Sequence, residues 1–308
     1  MQFLYILERL RHPVLDAIFS AVTYGGDELA FLVLSFALFW CVSKRGGYYA
    51  FLVGLFGTLG NQFLKLVCRI PRPWVLDPDF TIVESARAAA TGYSFPSGHT
   101  QNAVGTFGAM AVTAKRRWVR WVCAALMVLV PFSRMYLGVH TPLDVGVAFA
   151  LALVLLAALY PAFRSDDAQA KAMPWLLGAA LVLAVAFYGY ASGLRVDASS
   201  AEAASNVTHG AQNAAKLLGA IAALPLMYFI EKRYIKFDTR AVWYAQALKL
   251  ILGLALLLAV KTVLKAPLLA ILPEGLAGAA RYFILVLCAG CVWPLTFRFW
   301  AKLGRKGA

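Results

Sequence analysis

The reactive side chains of this chain concentrate in three short constellations between Lys65 and Asp144. The first, KLVCRIPRP, runs from Lys65 to Pro73 and separates Lys65 from Arg72 by six residues. The second is Pro96-Ser97-Gly98-His99. The third, SRMYLGVHTPLD, runs from Ser133 to Asp144 and holds Arg134, His140 and Asp144. All of them lie beside apolar segments, where ionisable groups are costly and usually functional. Fixed cations grouped with two imidazoles suit an anionic tetrahedral group, most simply a phosphate: an Arg fork offers paired directional donors and Lys a compact point charge.

Together the three motifs resemble those of the type 2 phosphatidic acid phosphatase superfamily, which also contains vanadium haloperoxidases and glucose-6-phosphatases. The pattern of that family is K-x6-RP, then PSGH, then SR-x5-H-x3-D, and all eleven specified positions occur here in order. The resemblance implies an integral membrane phosphatase that hydrolyses a lipid phosphate monoester or a lipid diphosphate through a phosphohistidine. It implies His140 as nucleophile, His99 as general acid and Asp144 as the partner of His140. Lys65, Arg72, Ser97, Gly98 and Arg134 are then expected to hold the phosphate. No metal ion or other cofactor is called for, and vanadate should mimic the transition state. The alternatives are a phosphatase for a soluble ester such as a sugar phosphate, a lipid phosphotransferase, or a non-catalytic lipid transporter or scaffold. Damage to the His–Asp pair or to the cations would signal the last of these, and the sequence carries none.

Local chemistry agrees with these roles. His140 and Asp144 are four apart and share one helical face or its entrance. Thr141 can cap that helix, Pro142 fits its first position and Asp144 its third, from which the carboxylate can reach back to a ring nitrogen of His140. Ser97 is a capping residue, Gly98 permits close backbone approach, and free amides at a helix start bind oxyanions. Arg69 stands off the motif and reads as interfacial snorkelling. His12 and His209 lack partners in the sequence and receive no role.

The elements that must position these residues are membrane helices. The 308 residues are 61% hydrophobic and 14% charged, with a mean hydropathy of +0.71. That leaves too little polar surface for a soluble domain. Apolar runs long enough to span a bilayer recur. They predict an all-α, multi-span bundle of about nine spans, at 27–43, 47–67, 98–114, 118–137, 142–163, 173–192, 211–230, 245–264 and 278–299. Residues 1–26 read as interfacial amphipathic helices, with a short first span at Val14–Tyr24 as the alternative, and no cleavable signal peptide is apparent. A catalytic core at 1–165 and a transmembrane extension at 166–308 are expected within one membrane domain.

The net charge of +14 would suggest nucleic acid in a soluble protein. Here the Lys and Arg flank spans, so anionic headgroups and topology account for them, and membrane lipids rather than nucleic acid are the expected partners. The basic loops around 44–45, 115–120, 164–171 and 232–240, with the C-terminal tail, fall on alternate connections. The positive-inside rule makes that side cytoplasmic. The motifs then face the exterior, most simply of a bacterial cell membrane. Two exterior loops are expected to be long, Trp74–Phe95 and Ser192–His209; the second is polar, expected to be mobile, and contains the sequon Asn206-Val207-Thr208. The five cysteines lie in apolar contexts, and the C-x-x-C of Cys288 and Cys291 reads as helix packing.

Overall fold

The computed structural model describes residues 1–195 and 201–303. Among them it is built of helices, with no strand: α1 (Gln2–Arg9), α2 (Pro13–Thr23), α3 (Glu28–Phe36), α4 (Lys44–Cys68), α5 (Pro73–Leu76), α6 (Gly98–Thr113) and α7 (Arg117–Tyr136), then α8 (Pro142–Leu159), α9 (Asp166–Gly193), α10 (Ala201–Ile230), α11 (Trp243–Val263), α12 (Lys265–Ile271), α13 (Glu274–Leu287) and α14 (Phe297–Lys302). The chain divides into two compact units. The first comprises Met1–Ser35, Tyr49–Pro161 and Arg195–Gly210; the second comprises Phe36–Tyr48, Ala162–Leu194 and the chain from Ala211 onward.

In the first unit α6 is the central helix. It packs on α7 and α8, and almost every residue from Thr100 to Ala109 is buried. Helices α1 and α2 lie against α7. The segment after α5 is tied down rather than loose. Phe80, Ile82, Ala86 and Ala90 form one buried cluster with Leu4 of α1 and with Tyr136, Leu137 and Val139. Polar contacts fasten the same cluster: Tyr5 donates to Asp77 at 2.8 Å, and Arg11 donates to the Thr81 carbonyl at 2.8 Å. Burying each such large apolar side chain contributes about 1.5–3 kcal/mol, which keeps the segment seated beside the end of α7.

The second unit is closed by aromatic packing around π-helical turns at Ala37–Val42, Glu231–Ile235 and Cys288–Val292. Trp40 is fully buried and its indole donates to the Ala289 carbonyl at 3.0 Å. Cys288 and Cys291 are free thiols in the third of these turns.

Among the described residues, seven helical segments are long and apolar enough to cross a membrane, and the bent pair Pro13–Gly26 with Glu28–Val42, at 54°, raises the number to eight. The expected nine lies one above this count, and the difference falls on 98–114, where α6 has 16 residues, about 24 Å of helix. Ser97 caps its start, and the run Lys115-Arg116-Arg117 follows directly after its end, so its apolar length cannot grow in either direction. The N-terminal segment combines both expectations: α1 is amphipathic, with Leu4 and Leu7 buried, while α2 enters the bent pair. The expected long loop at Ser192–His209 is mostly helix. Helix α9 runs to Gly193 and α10 begins at Ala201, so the sequon at Asn206 lies on a helix; 196–200 lie outside the described residues. The run AEAAS is rich in Ala, the strongest helix former, and that propensity outweighs its loop-like polarity.

Candidate active site

The start of α8 fixes the carboxylate on which the site is built. Thr141 accepts from the Asp144 amide at 3.3 Å, and Asp144 Oδ2 accepts from the Thr141 amide at 2.8 Å, a reciprocal capping box with Pro142 at the first helical position. The same Oδ2 accepts from the Ser94 hydroxyl at 2.6 Å and stands 3.5 Å from His140 Nδ1. Ser94, His140 and Asp144 are all buried. The chain reaches His140 through a tight turn after α7. Gly138 sits at φ +81°, a region that favours glycine, and the Val139 amide returns to the Arg134 carbonyl at 3.1 Å.

Arg72 Nη1 lies 2.9 Å from His140 Nε2. A guanidinium has only N–H donors, so Nε2 is the accepting nitrogen and carries the lone pair. The ring proton then belongs on Nδ1, facing Asp144 and Ser94. Burial first, and then the charges of Arg72, Arg134 and Lys65, hold the His140 pKa well below the usual histidine range. The imidazole is therefore neutral, with the Nε2 lone pair turned toward the Arg72 guanidinium.

The three cations are held differently. Lys65, at the end of α4, donates to the carbonyls of Tyr93 and Ser94. Arg72 spreads its fork over three carbonyls, Thr91 at 2.8 Å, Gly92 at 3.0 Å and Val139 at 3.0 Å. Both cations thus bind the 91–94 backbone, which itself is joined to the end of α4 by the Ser94 amide and the Ile70 carbonyl. Arg134 is fully buried. Its Nη1 donates to Thr23 at 2.7 Å, while Nε and Nη2 have no acceptor. Two buried N–H groups without partners are expensive. A phosphate oxygen is the acceptor their geometry suits.

His99 opens α6, and its Nε2 lies 2.6 Å from Asp27 Oδ1, close but off the line of a well-aligned hydrogen bond. The turn carrying Asp27 approaches this closely because of Gly26, where a Cβ would stand 2.7 Å from the His99 carbonyl oxygen. Ser97 caps α6 by accepting from the Thr100 amide at 3.3 Å, and its own amide donates to the Asp144 carbonyl at 3.0 Å. Ser97 therefore joins the PSGH turn to the start of α8. Gly98 is the first residue of α6. Arg69 is exposed at the end of α4, with φ +50° and Nε donating to the Leu66 carbonyl at 3.1 Å.

The arrangement contains residues that the motifs do not specify. Ser94 bridges Asp144 and His140, Asp27 meets His99, Thr23 anchors Arg134, and Asn61 donates to the Pro96 carbonyl at 3.3 Å. Ser94 had a signal in its place three residues before Ser97. Asp27 had a weaker one, as the first of two acids, with Glu28, between two glycines and an apolar run. Thr23 and Asn61 had none, because only the packing of α2 and α4 brings them in. His12, given no role, caps α2 by accepting from the Val14 amide at 3.3 Å. Among the described residues no group of three or more His, Cys, Asp or Glu side chains could hold a metal ion.

An apolar groove of about 460 Å³ runs along α8 on a face away from Asp144. It begins at Pro142, two residues after His140, and follows α8 past Gly146 and Ala150 to Leu153, with Phe3 and Met135 on its other side.

Comparison with known proteins gives the family. The PAP2 superfamily pattern matches residues 45–167, and the pattern described as PAP2 superfamily phosphatase, transmembrane extension, matches residues 212–306. The chain is 31% identical over 146 residues to the undecaprenyl-diphosphatase BcrC of Bacillus subtilis, covering 47% of this chain and 72% of that protein. It is 27% identical over 161 residues to phosphatidylglycerophosphatase B of the same organism, covering 47% and 74%. It is also 26% identical over 193 residues to a probable sphingosine-1-phosphate phosphatase of Dictyostelium discoideum, covering 58% of this chain and 46% of that protein. No solved structure gives a significant match.

Proposed function

Because the chain belongs to the PAP2 superfamily and is a multi-span membrane phosphatase of lipid phosphates, we propose that it releases phosphate from a lipid phosphate monoester or lipid diphosphate through a phosphohistidine at His140. The observation that carries this reading is the pairing of a neutral His140, its Nε2 lone pair facing cations, with two acceptor-less N–H groups on buried Arg134.

The chemistry then runs in two displacements. His140 Nε2 forms a bond to phosphorus as the bond to the leaving oxygen breaks, and His99 gives that oxygen a proton. Asp144 stabilises the positive charge on the phosphorylated ring through Nδ1–H. Arg134, with Lys65 and Arg72, stabilises charge on the equatorial oxygens, and the Ser97–Gly98 turn closes the cradle. In the second step His99 accepts a proton from water as the water oxygen attacks phosphorus. The phosphorus–nitrogen bond breaks, and inorganic phosphate and free His140 result. This work belongs to residues 1–165, with 166–308 as the membrane extension. Phosphate release by the purified protein should favour a diacylglycerol phosphate or a prenyl diphosphate over a sugar phosphate. A sugar phosphate turned over faster than every lipid would overturn the substrate class.

The exterior face follows from the cationic loops at 115–120 and 232–240, which the positive-inside rule puts in the cytoplasm. In intact bacterial cells, an impermeant thiol reagent should label a cysteine placed at exposed Ser85 and spare one at exposed Asp167. The reverse pattern would overturn this sidedness.

A further inference from the structure

The second unit holds a small polar cavity of about 170 Å³ between α10, α12 and α13. It lies at the end of the unit opposite the basic 232–240 loop, since α10 ends at that loop and α11 starts from it. Three cations line the cavity, Lys216 from α10, Lys265 from α12 and Arg281 from α13, together with Gln212 and a single acid, Glu274. The lining charge is therefore +3 − 1 = +2. Ala277 and Gly278 form a buried floor.

The cavity is built by the packing of its walls. Gly219 lets α10 sit directly against the α13 backbone at Ala279, and the stem of Lys216 crosses Gly278, where an added Cβ would be 3.4 Å from its Cγ. Asn213 Oδ1 orients the Lys216 ammonium at 3.3 Å. Arg281 Nε is buried with no hydrogen-bond acceptor. A donor taken out of water and left without an acceptor is destabilising unless something supplies one. Leu269 lines the cavity as an exposed apolar side chain, and Ile271 of α12 and Leu276 of α13 are exposed on the same two helices. Cations on helices that also expose apolar side chains match a charged head that carries hydrocarbon chains.

We propose that this cavity is a binding site for a phosphate group, held by Lys216, Lys265 and Arg281, and separate from the centre around His140. Arg281 supplies the buried donor, Lys216 and Lys265 supply charge, and Glu274 limits the affinity. A membrane phospholipid headgroup and free inorganic phosphate present the same chemistry, and two ligands distinguish them.

The test uses the full-length protein, delipidated in neutral detergent, with binding counted by native mass spectrometry. The ligands are dioctanoyl phosphatidylglycerol, inorganic phosphate and uncharged dioctanoylglycerol. Lys265→Gln/Arg281→Gln should weaken one retained phosphate-bearing ligand by about tenfold or more, with dioctanoylglycerol unaffected and phosphate-release turnover unchanged. Loss of the lipid alone assigns the site to a headgroup, and loss of inorganic phosphate as well assigns it to the free anion. Glu274→Gln removes the opposing charge and should tighten the same ligand severalfold, a gain that misfolding cannot imitate. Unchanged affinity for both ligands in the double variant, or no tightening in Glu274→Gln, would overturn the proposal.

Discussion

In the second unit Lys249 is as deeply buried as Arg134 is in the first. The two cations are satisfied differently. Lys249 donates to the Thr239 carbonyl at 3.2 Å and lies 4.5 Å over the Phe297 ring. Its buried neighbour in the same unit, Glu231, is paired with Lys44 at 2.8 Å. These charges are closed within the fold, where they join a loop to helices. Arg134 has one donor on Thr23 and two donors with no acceptor, beside an imidazole whose lone pair faces cations. Burial of charge alone therefore does not mark a site in this molecule. In the proposed reading, unsatisfied donors whose charge acts on His140 do, because the fold bears their cost and a substrate would recover it.

Substitutions can break this contrast. The largest effect belongs to His140→Ala, which should lower phosphate release by about 10⁴-fold or more, since no other group in the site can take its covalent role. Near-normal turnover by a folded variant in detergent would remove the nucleophile from the account. Next comes Arg134→Lys, which keeps the charge and loses the planar fork. It should cost about 10²–10³-fold in turnover. Lys249→Met is its counterpart and should leave turnover within about twofold, as a buried charge exchanged for an apolar side chain of similar size is often tolerated. Equal losses at the two positions would mean that buried charge, not open donors, is what matters.

His99→Ala should slow alkyl phosphates by about 10²-fold or more while sparing aryl phosphates, whose leaving oxygen needs little protonation. Asp27→Asn should reproduce the same alkyl-to-aryl bias more weakly. An Asp27 variant that slows both ester types equally would make Asp27 a packing residue with no hold on His99.

Much of this was legible in the sequence because the motifs carry their own local geometry. Thr141, Pro142 and Asp144 predict the capping box that forms, and the alignment of His140 with Asp144 follows from their spacing. What escaped depends on contacts distant in the chain. Thr23 and Asp27 reach Arg134 and His99 across more than seventy positions, and apart from the weak signal at Asp27 nothing local announces it. The sequence assigns Lys65 and Arg72 to a phosphate, and does not show that both also bind the carbonyls of 91–94. Helix α6, read as a span from its apolar run, is shorter than the other long helices because the Ser97 cap and the basic run at 115–117 bound it, and it packs on α7 and α8. At 201–209 helix propensity prevailed over polar composition.

The smallest expected effect is on stability against pH. Buried His140 has its pKa depressed in the fold, whereas in the unfolded chain it titrates near the usual value of about 6.5. Above that value the residue is neutral in both states and contributes no pH dependence. As pH falls below it, the unfolded chain takes up a proton that the fold refuses, so stability is lost on the acid side. His140→Ala should make the acid-side fall in Tm shallower, and an unchanged slope would show that His140 is not held neutral.

The central claim is a covalent phosphoryl group on His140, and rapid acid-free quenching tests it most directly. The purified protein is mixed with a lipid phosphate labelled in its terminal phosphoryl group, stopped in alkaline detergent within the first turnover, and digested for mass spectrometry. The account predicts a phosphoryl group that is stable to base and labile to acid, found on the peptide containing His140 and absent in the Asp144→Ala and His140→Ala chains. Full single-turnover release of phosphate with no label on that peptide at any time would contradict it.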